Sequence, residues 1–318
     1  MAKTSVNTMD QPMKIKESMA YRVFNVFNTI LMILICAAML YPFLYLVAQS
    51  FSSTEAIVAG EVGLIPKDFS VETYAFVIND GRFIPYYGNT IVYSVIATVC
   101  ALFFSALLAY PLSKPELWGG KVINKFIIFT MYFGGGMIPN YILMTSLGLR
   151  DTVAAFILPG MISTYYVILM RSFFTTVPRE LEEAGEIDGL SLWGAFWRIA
   201  LPLSKPIMAT MALFYIVQYW NNWFDAFLYL DTQDKWPVAY YLRQLIDSSS
   251  GTAAADAGEA MQISSNIKSC AMVLTAAPII CVYPFIQKYF VQGMMLGGVK
   301  GCYGAQPTLC CLDTAFWL

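Results

Sequence analysis

The feature that most constrains this chain is a series of long apolar stretches. A bilayer core about 30 Å thick is crossed by roughly 20 helical residues, and a helix satisfies its own backbone polar groups in hydrocarbon. Six stretches meet that length, at residues 23–48, 89–112, 122–147, 152–173, 206–230 and 269–290. The first far exceeds a signal-peptide core of about 7 to 15 residues, so it is read as a retained helix although Ala48, Gln49 and Ser50 faintly resemble a cleavage site. The expected fold is all-α, a polytopic membrane protein with about six transmembrane helices. Only 13% of the residues are charged and 58% are apolar, which excludes an ordinary soluble enzyme, where about 25% charge is usual.

Charge placement predicts orientation. Lys3, Lys14, Lys16, Arg22, Lys114, Lys121, Lys125, Arg171, Arg179, Arg198, Lys205, Lys288 and Lys300 flank the spans on one side, and Lys67, Arg82, Arg150, Lys235, Arg243 and Lys268 lie on the other. The positive-inside rule therefore puts both termini in the cytoplasm. The expected organisation is a cytoplasmic segment (1–22), a membrane domain (23–300) and an atypical apolar tail (301–318) bearing Cys302, Cys310 and Cys311. Loops 49–88 and 231–268 fall outside, and the charged loop 171–205 falls inside. Cys36, Cys100, Cys270 and Cys281 lie in apolar runs and are read as small packing residues. A net charge of −2 offers no basic surface for nucleic acid, and the absence of His removes His-based catalysis and His-ligated zinc.

The inner loop reads as a helical hairpin. Pro178 suits a helix start, Glu180, Glu182 and Glu183 complement the positive end of the helix dipole, and Asp188-Gly189 stops the helix. Ser191 is placed to cap a second short helix through Trp193, Phe196, Trp197 and Ile199 that ends at Leu201-Pro202. Leu181, Leu190, Trp193, Phe196 and Trp197 are too many large apolar groups for a solvated hairpin, so part of this surface must meet another body. A hairpin lying on the membrane surface is the competing account.

Glu183-Ala184-Gly185, then three residues and Gly189, then nine residues and Ile199-Ala200-Leu201-Pro202 resemble the EAA loop of permease subunits of ATP-binding-cassette importers. The one departure is Gly185, where that pattern has a second Ala; Gly lowers helix propensity by about 1 kcal/mol but leaves room for close approach. Phe129-Thr130-Met131-Tyr132-Phe133-Gly134-Gly135-Gly136-Met137-Ile138-Pro139 followed by Leu147-Gly148-Leu149, Trp220-Asn221-Asn222-Trp223-Phe224-Asp225-Ala226 and Lys288-Tyr289-Phe290-Val291-Gln292-Gly293 narrow the likeness to the carbohydrate-uptake branch. Within that branch the chain is similar to the small permease subunit of the maltose importer and to an oligosaccharide-permease subgroup. The resemblance implies that Glu183, Ala184, Gly185, Asp188 and Gly189 form the ATPase-coupling element. It also implies a related second permease subunit, two ATPase subunits, an extracytoplasmic solute-binding protein and a carbohydrate substrate. No cofactor is expected in this chain. ATP and magnesium would be bound by the partner ATPase, because no G-x-x-x-x-G-K-[ST] loop occurs.

Asp225 is the one carboxylate inside an expected span, and at the bilayer centre it would cost roughly 2.5 to 3.5 kcal/mol, so it should face protein or water. Gln218, Asn222 and Asp225 recur at spacings of four and three, which would place them on one helical face with Asn221 beside it. Trp220 and Trp223 flank that face, and aromatic planes beside amide and carboxylate groups suit a polyhydroxylated ligand. Interhelical polar packing with an aromatic belt explains the same residues, and a proton relay through Asp225 is a third account. Gly134 to Gly136 and Pro139 interrupt span three, as a pathway-lining segment or a close-packing one would. The expected function is half of the solute pathway of an ATP-driven carbohydrate importer, with no ATPase site of its own. Another small polar solute, a secondary transporter and a membrane scaffold are the alternatives.

Overall fold

A computed structural model describes residues 18–79, 81–250 and 266–281. It is helical throughout; among the described residues extended segments pair only at one antiparallel bridge, between Ser52 and Phe69. A long helix α1 (Met19–Ser50) leads into two short outer helices, α2 (Thr54–Val58) and α3 (Glu72–Asn79), and then a second long helix α4 (Phe83–Ser113). Two bent pairs follow, α5 (Gly120–Tyr132) with α6 (Met137–Ser146), and α7 (Val153–Ile157) with α8 (Thr164–Phe174). The hairpin comprises α9 (Arg179–Ile187), α10 (Leu192–Ala195), a π turn (Phe196–Ala200) and α11 (Leu201–Leu203). The chain finishes with α12 (Lys205–Trp220), α13 (Phe224–Tyr229), α14 (Val238–Ser250) and α15 (Asn266–Cys281).

α4 is the organising helix. Ala97, Ala101, Ser105 and Ala109 recur every fourth residue and are almost fully buried, and this small-residue seam lets α8 and α12 pack closely against it. Toward the hairpin end, Ala106, Ala109 and Tyr110 of α4 meet Val167, Met170 and Phe174 of α8 together with Phe196 and Met211. Nearer the other end, Tyr93, Ala97 and Ala101 meet Phe156, Tyr215 and Tyr219. α1 behaves differently. Its apolar surface is exposed along most of its length, and it is anchored only where Ala48, Gln49 and Ser50 are buried. There Tyr74 Oη donates to Ser50 Oγ at 2.8 Å and Ser269 Oγ donates to Gln49 Oε1 at 2.9 Å.

By length and apolar composition α1 and α4 can each cross a membrane alone, and up to three further crossings arise if each bent pair counts as one. The interruption expected in span three is present as a bend, and two further expected spans are not straight either. α5 and α6 meet at 109° around the Gly134–Gly136 interruption, where Gly136 has φ 85°, a conformation that side chains with a Cβ disfavour. The expected span 152–173 bends by 54° between Gly160 and Thr164, just after a 3-10 turn at Leu158–Gly160, where Pro159 has no N–H to give. The expected span 206–230 is not one helix either: it leaves helical geometry between Trp220 and Phe224. Gln218 and Asp225 therefore do not share one continuous helical face.

Loops differ as well. α4 begins at Phe83, so the outer loop expected at 49–88 is shorter and already holds α2 and α3. Residues 238–250 of the loop expected at 231–268 form α14. The Ala- and Gly-rich part at 251–265, the end of span six at 282–290 and the tail 301–318 lie outside the described residues.

Candidate functional site

The hairpin is built from local chemistry. Leu190 N–H donates to Gly185 O at 2.8 Å and Gly189 N–H donates to Glu186 O at 3.0 Å, the paired closure that ends a helix when the residue after the cap takes positive φ. Gly189 takes it, at 85°. Ser191 Oγ then accepts from Gly194 N–H at 3.2 Å and starts α10. Gly185 is buried at the crossing of the two arms, where an added Cβ would lie 2.8 Å from Ile199 Cδ1 and 3.1 Å from Leu190 Cδ1. The second arm runs further than expected, through a π turn and past Pro202 to Leu203, before an 81° bend into α12.

Two ion pairs hold this hairpin to the α4 end of the core: Lys114 with Glu182, and Arg179 with Glu116 at 3.1 Å. Tyr110 Oη also donates to Glu182 Oε1 at 3.4 Å. The five coupling candidates divide. Glu183, Ala184, Asp188 and Gly189 are exposed along the hairpin's outer edge, and Gly185 is its buried hinge. Trp193 and Trp197 are exposed as expected, whereas Phe196 is only 2% exposed because its ring packs 5.1 Å from that of Tyr110. Sequence reasoning missed Ile187 and Leu192, which are exposed beside Trp193. A cleft of about 680 Å³ opens between the hairpin and α4, bordered by Tyr110, Trp118, Glu186 and Trp193.

The residues singled out in span five fall into four surroundings. Asn222 Nδ2 donates to Asp225 Oδ2 at 2.7 Å, and Asn222 Oδ1 accepts from Asp225 N–H at 3.2 Å. This reciprocal pair spans the entry to α13, whose N-cap position is Trp223. Gln218 points to the bend of the neighbouring span, donating to Gly160 O at 3.4 Å. Trp220 is buried, its indole N–H donating to Thr275 O of α15 at 3.0 Å, while exposed Asn221 bonds back to Val217 O at 2.9 Å. Both border a cavity of about 200 Å³. Trp223 is half-buried, with the Arg243 guanidinium 4.9 Å from its ring centre.

Residues 15–296 match the family of binding-protein-dependent transport system inner membrane components. Protein LplC of Bacillus subtilis is 43% identical over 286 residues, covering 89% of this chain and 96% of that protein. The B. subtilis polygalacturonan/rhamnogalacturonan transport system permease protein YtcP is 39% identical over 267 residues, 82% and 92% of the two chains. A chain in the crystal structure of a bacterial transporter that imports the acidic polysaccharide alginate superposes with a TM-score of 0.79 at 33% identity, over 87% of this chain and all of that one. The chain belongs to this permease family.

The permease also carries polar groups that the sequence reading passed over. Tyr215 Oη shares a hydrogen with Ser105 Oγ at 2.6 Å and accepts from Ser163 N–H at 3.2 Å, and Tyr219 Oη donates to Ile157 O at 2.9 Å. With Gln218 they satisfy backbone groups freed by the bend between α7 and α8, which hydrocarbon could not do. The signal was present as Tyr215, Gln218 and Tyr219 at helical spacings, opposite a Pro159-Gly160 pair. At the other end of the permease, Asp151 receives Lys235 Nζ at 2.7 Å, Thr232 Oγ1 at 2.6 Å and the Thr232 and Asp231 amides at 3.0 and 3.1 Å. Hydrogen bonds from Lys235 and Thr232 hold its carboxyl well below the usual carboxylate range. Arg150 pairs with Asp231 beside it, at 2.9 Å.

Proposed function

We infer that this permease forms half of the solute pathway of an ATP-driven carbohydrate importer, six-spanning with both termini cytoplasmic, and that its hairpin couples the pathway to a separate ATPase. The observation that carries the coupling role is the hairpin: Glu183, Ala184, Asp188 and Gly189 stand exposed on a compact element tied by ion pairs to the central helix α4 and continuous, through α11, with α12. A push on that edge reaches α12 with little loss because Gly185 lets the arms close on each other. ATP and magnesium belong to the partner ATPase subunits, and a second, related permease completes the pathway. An extracytoplasmic binding protein delivers the solute. Relatives named for polygalacturonan/rhamnogalacturonan transport and for alginate import support an oligosaccharide as the solute. Asn221, Asn222 and Asp225 at the break in span five are the residues of this subunit assigned to the pathway, with Gln218, Trp220 and Trp223 shaping the walls around them.

The test is Gly189→Val in the assembled transporter. A β-branched residue at positive φ costs on the order of 1–3 kcal/mol and should distort the turn. Uptake should fall at least tenfold while membrane insertion and solute binding by the partner protein stay normal. Wild-type uptake with the ATPase still attached would remove the coupling assignment.

A further inference from the structure

At the hairpin end of the molecule a second cleft, of about 610 Å³, lies between the ends of α4 and α8 and the start of α5. Its lining includes Lys114, Lys121, Arg171 and Arg179, four cations with no carboxylate among the lining residues. Two of those cations are engaged next door, Lys114 by Glu182 and Arg179 by Glu116. Of the other two, Lys121 is exposed, and Arg171 donates from its Nε to Leu112 O at 2.8 Å, which fixes the guanidinium at the cleft wall. Among the described residues no carboxylate pairs with either. α5 enters the cleft through Gly119-Gly120 with no acidic residue in its first turn, so its positive end adds to the same field.

Beyond the cleft, α5 turns out Val122, Phe126 and Phe129, all exposed and on one helical face. A concave cluster of cations adjoining an apolar helix face matches a molecule with an anionic head and hydrocarbon tails, and basic pockets between membrane helices are known to take such heads. We propose that this cleft binds the phosphate headgroup of an anionic phospholipid, with Arg171 and Lys121 contacting the phosphate and the acyl chains lying along α5. An arginine held by its Nε keeps its two terminal nitrogens as a planar fork, the geometry that suits phosphate oxygens. The inference rests on the membrane orientation proposed above. Lipid affinity is read on purified transporter and uptake is read in cells, so either can fail without the other.

The experiment uses the assembled transporter in nanodiscs of phosphatidylcholine with increasing phosphatidylglycerol, with bound lipid counted by native mass spectrometry. Lys121→Gln should lower phosphatidylglycerol affinity about fivefold, the effect of about one basic residue at a membrane surface, and Lys121→Gln with Arg171→Gln should lower it further. Lys205→Gln removes a charge on the same side but outside the cleft and should match the wild type. Because Lys121 is exposed and pairs with no carboxylate among the described residues, its replacement should leave thermal unfolding in pure phosphatidylcholine unchanged, which separates lost binding from lost folding. Equal affinity in the wild type and in Lys121→Gln, or an equal loss in Lys205→Gln, overturns the site. Millimolar inorganic phosphate should leave the lipid in place; full displacement by it would mean a free-anion site instead and would also overturn the proposal.

Discussion

Gly189 and Gly185 stand four residues apart and restrict the hairpin in different ways. Gly189 is conformational: its φ of 85° is reached readily by Gly and tolerated by Asn, so Gly189→Asn should retain most of the uptake that Gly189→Val loses. Gly185 is steric, and the atoms an added Cβ would meet are the far ends of Ile199 and Leu190, which can rotate away. Gly185→Ala should therefore be close to neutral, its packing strain offset by about 1 kcal/mol of helix propensity, whereas Gly185→Leu should separate the arms and abolish coupling. Uptake by the four variants, normalised to assembled complex, checks both statements; a damaging Gly185→Ala would show a hinge tighter than its neighbours' flexibility implies. Asp225 is held by Asn222, and the pair can be separated chemically. Asp225→Asn keeps size and hydrogen bonding, so uptake should be reduced but measurable, while Asp225→Leu should leave very little. If Asn failed as completely as Leu, the charge itself would be needed and a proton relay would become the better account.

At the scale of elements, α12 stabilises its broken neighbour. Tyr215→Phe leaves Ser105 Oγ and Ser163 N–H without the oxygen they share, which should cost about 1–3 kcal/mol. Thermal unfolding of the purified permease should show it, and the loss should be smaller when Ser105 is already Ala, because one of the orphaned groups is then gone. Strict additivity would mean the two hydroxyls act independently. The outer junction makes a different forecast. Asp151 titrates lower in the fold than the roughly 3.9 of an unfolded aspartate, so its ionised form adds stability above that pH and loses it only as the pH falls through the lowered folded value. Amide protection at Asp231 and Thr232 should thus be unchanged between about pH 7 and pH 5, and Asp151→Asn should lower it across that whole range. A protection loss already at pH 5 in the wild type would contradict the assignment.

For the whole molecule, exposure is the governing observation. α1 shows apolar residues on all sides over most of its length, and α5 has no buried residue at all. Such surface is stable only against lipid or a partner. Co-expressed with the second permease proposed above, this chain should purify with a Tm several degrees above that of the chain alone, because a partner that binds only the folded form stabilises it by mass action. Identical Tm values would assign that surface to lipid.

How much of this was legible depends on range. Apolar runs longer than a bilayer core, the excess of Lys and Arg on one side and the Asp188-Gly189 stop with its Ser191 cap are local or summed properties, and the chain spells them out residue by residue. The helical class, the existence of the hairpin and the exposure of Trp193 followed from them. The bend at Pro159-Gly160 and the break at Asn221 to Trp223 did not, because composition over twenty residues cannot tell a straight span from a kinked one. Those are accompanied by partners more than fifty positions away, as Tyr219 reaches Ile157 and Gln218 reaches Gly160, and by the side-chain pair Asn222–Asp225 across the break. Phe196 and Trp197 are adjacent and alike in sequence, yet one is buried and the other exposed, since only the packing of the hairpin on Tyr110 distinguishes them. A chain can encode by itself which segments must leave water; which side chain satisfies which freed backbone group is a tertiary matter, fixed when the helices close on one another.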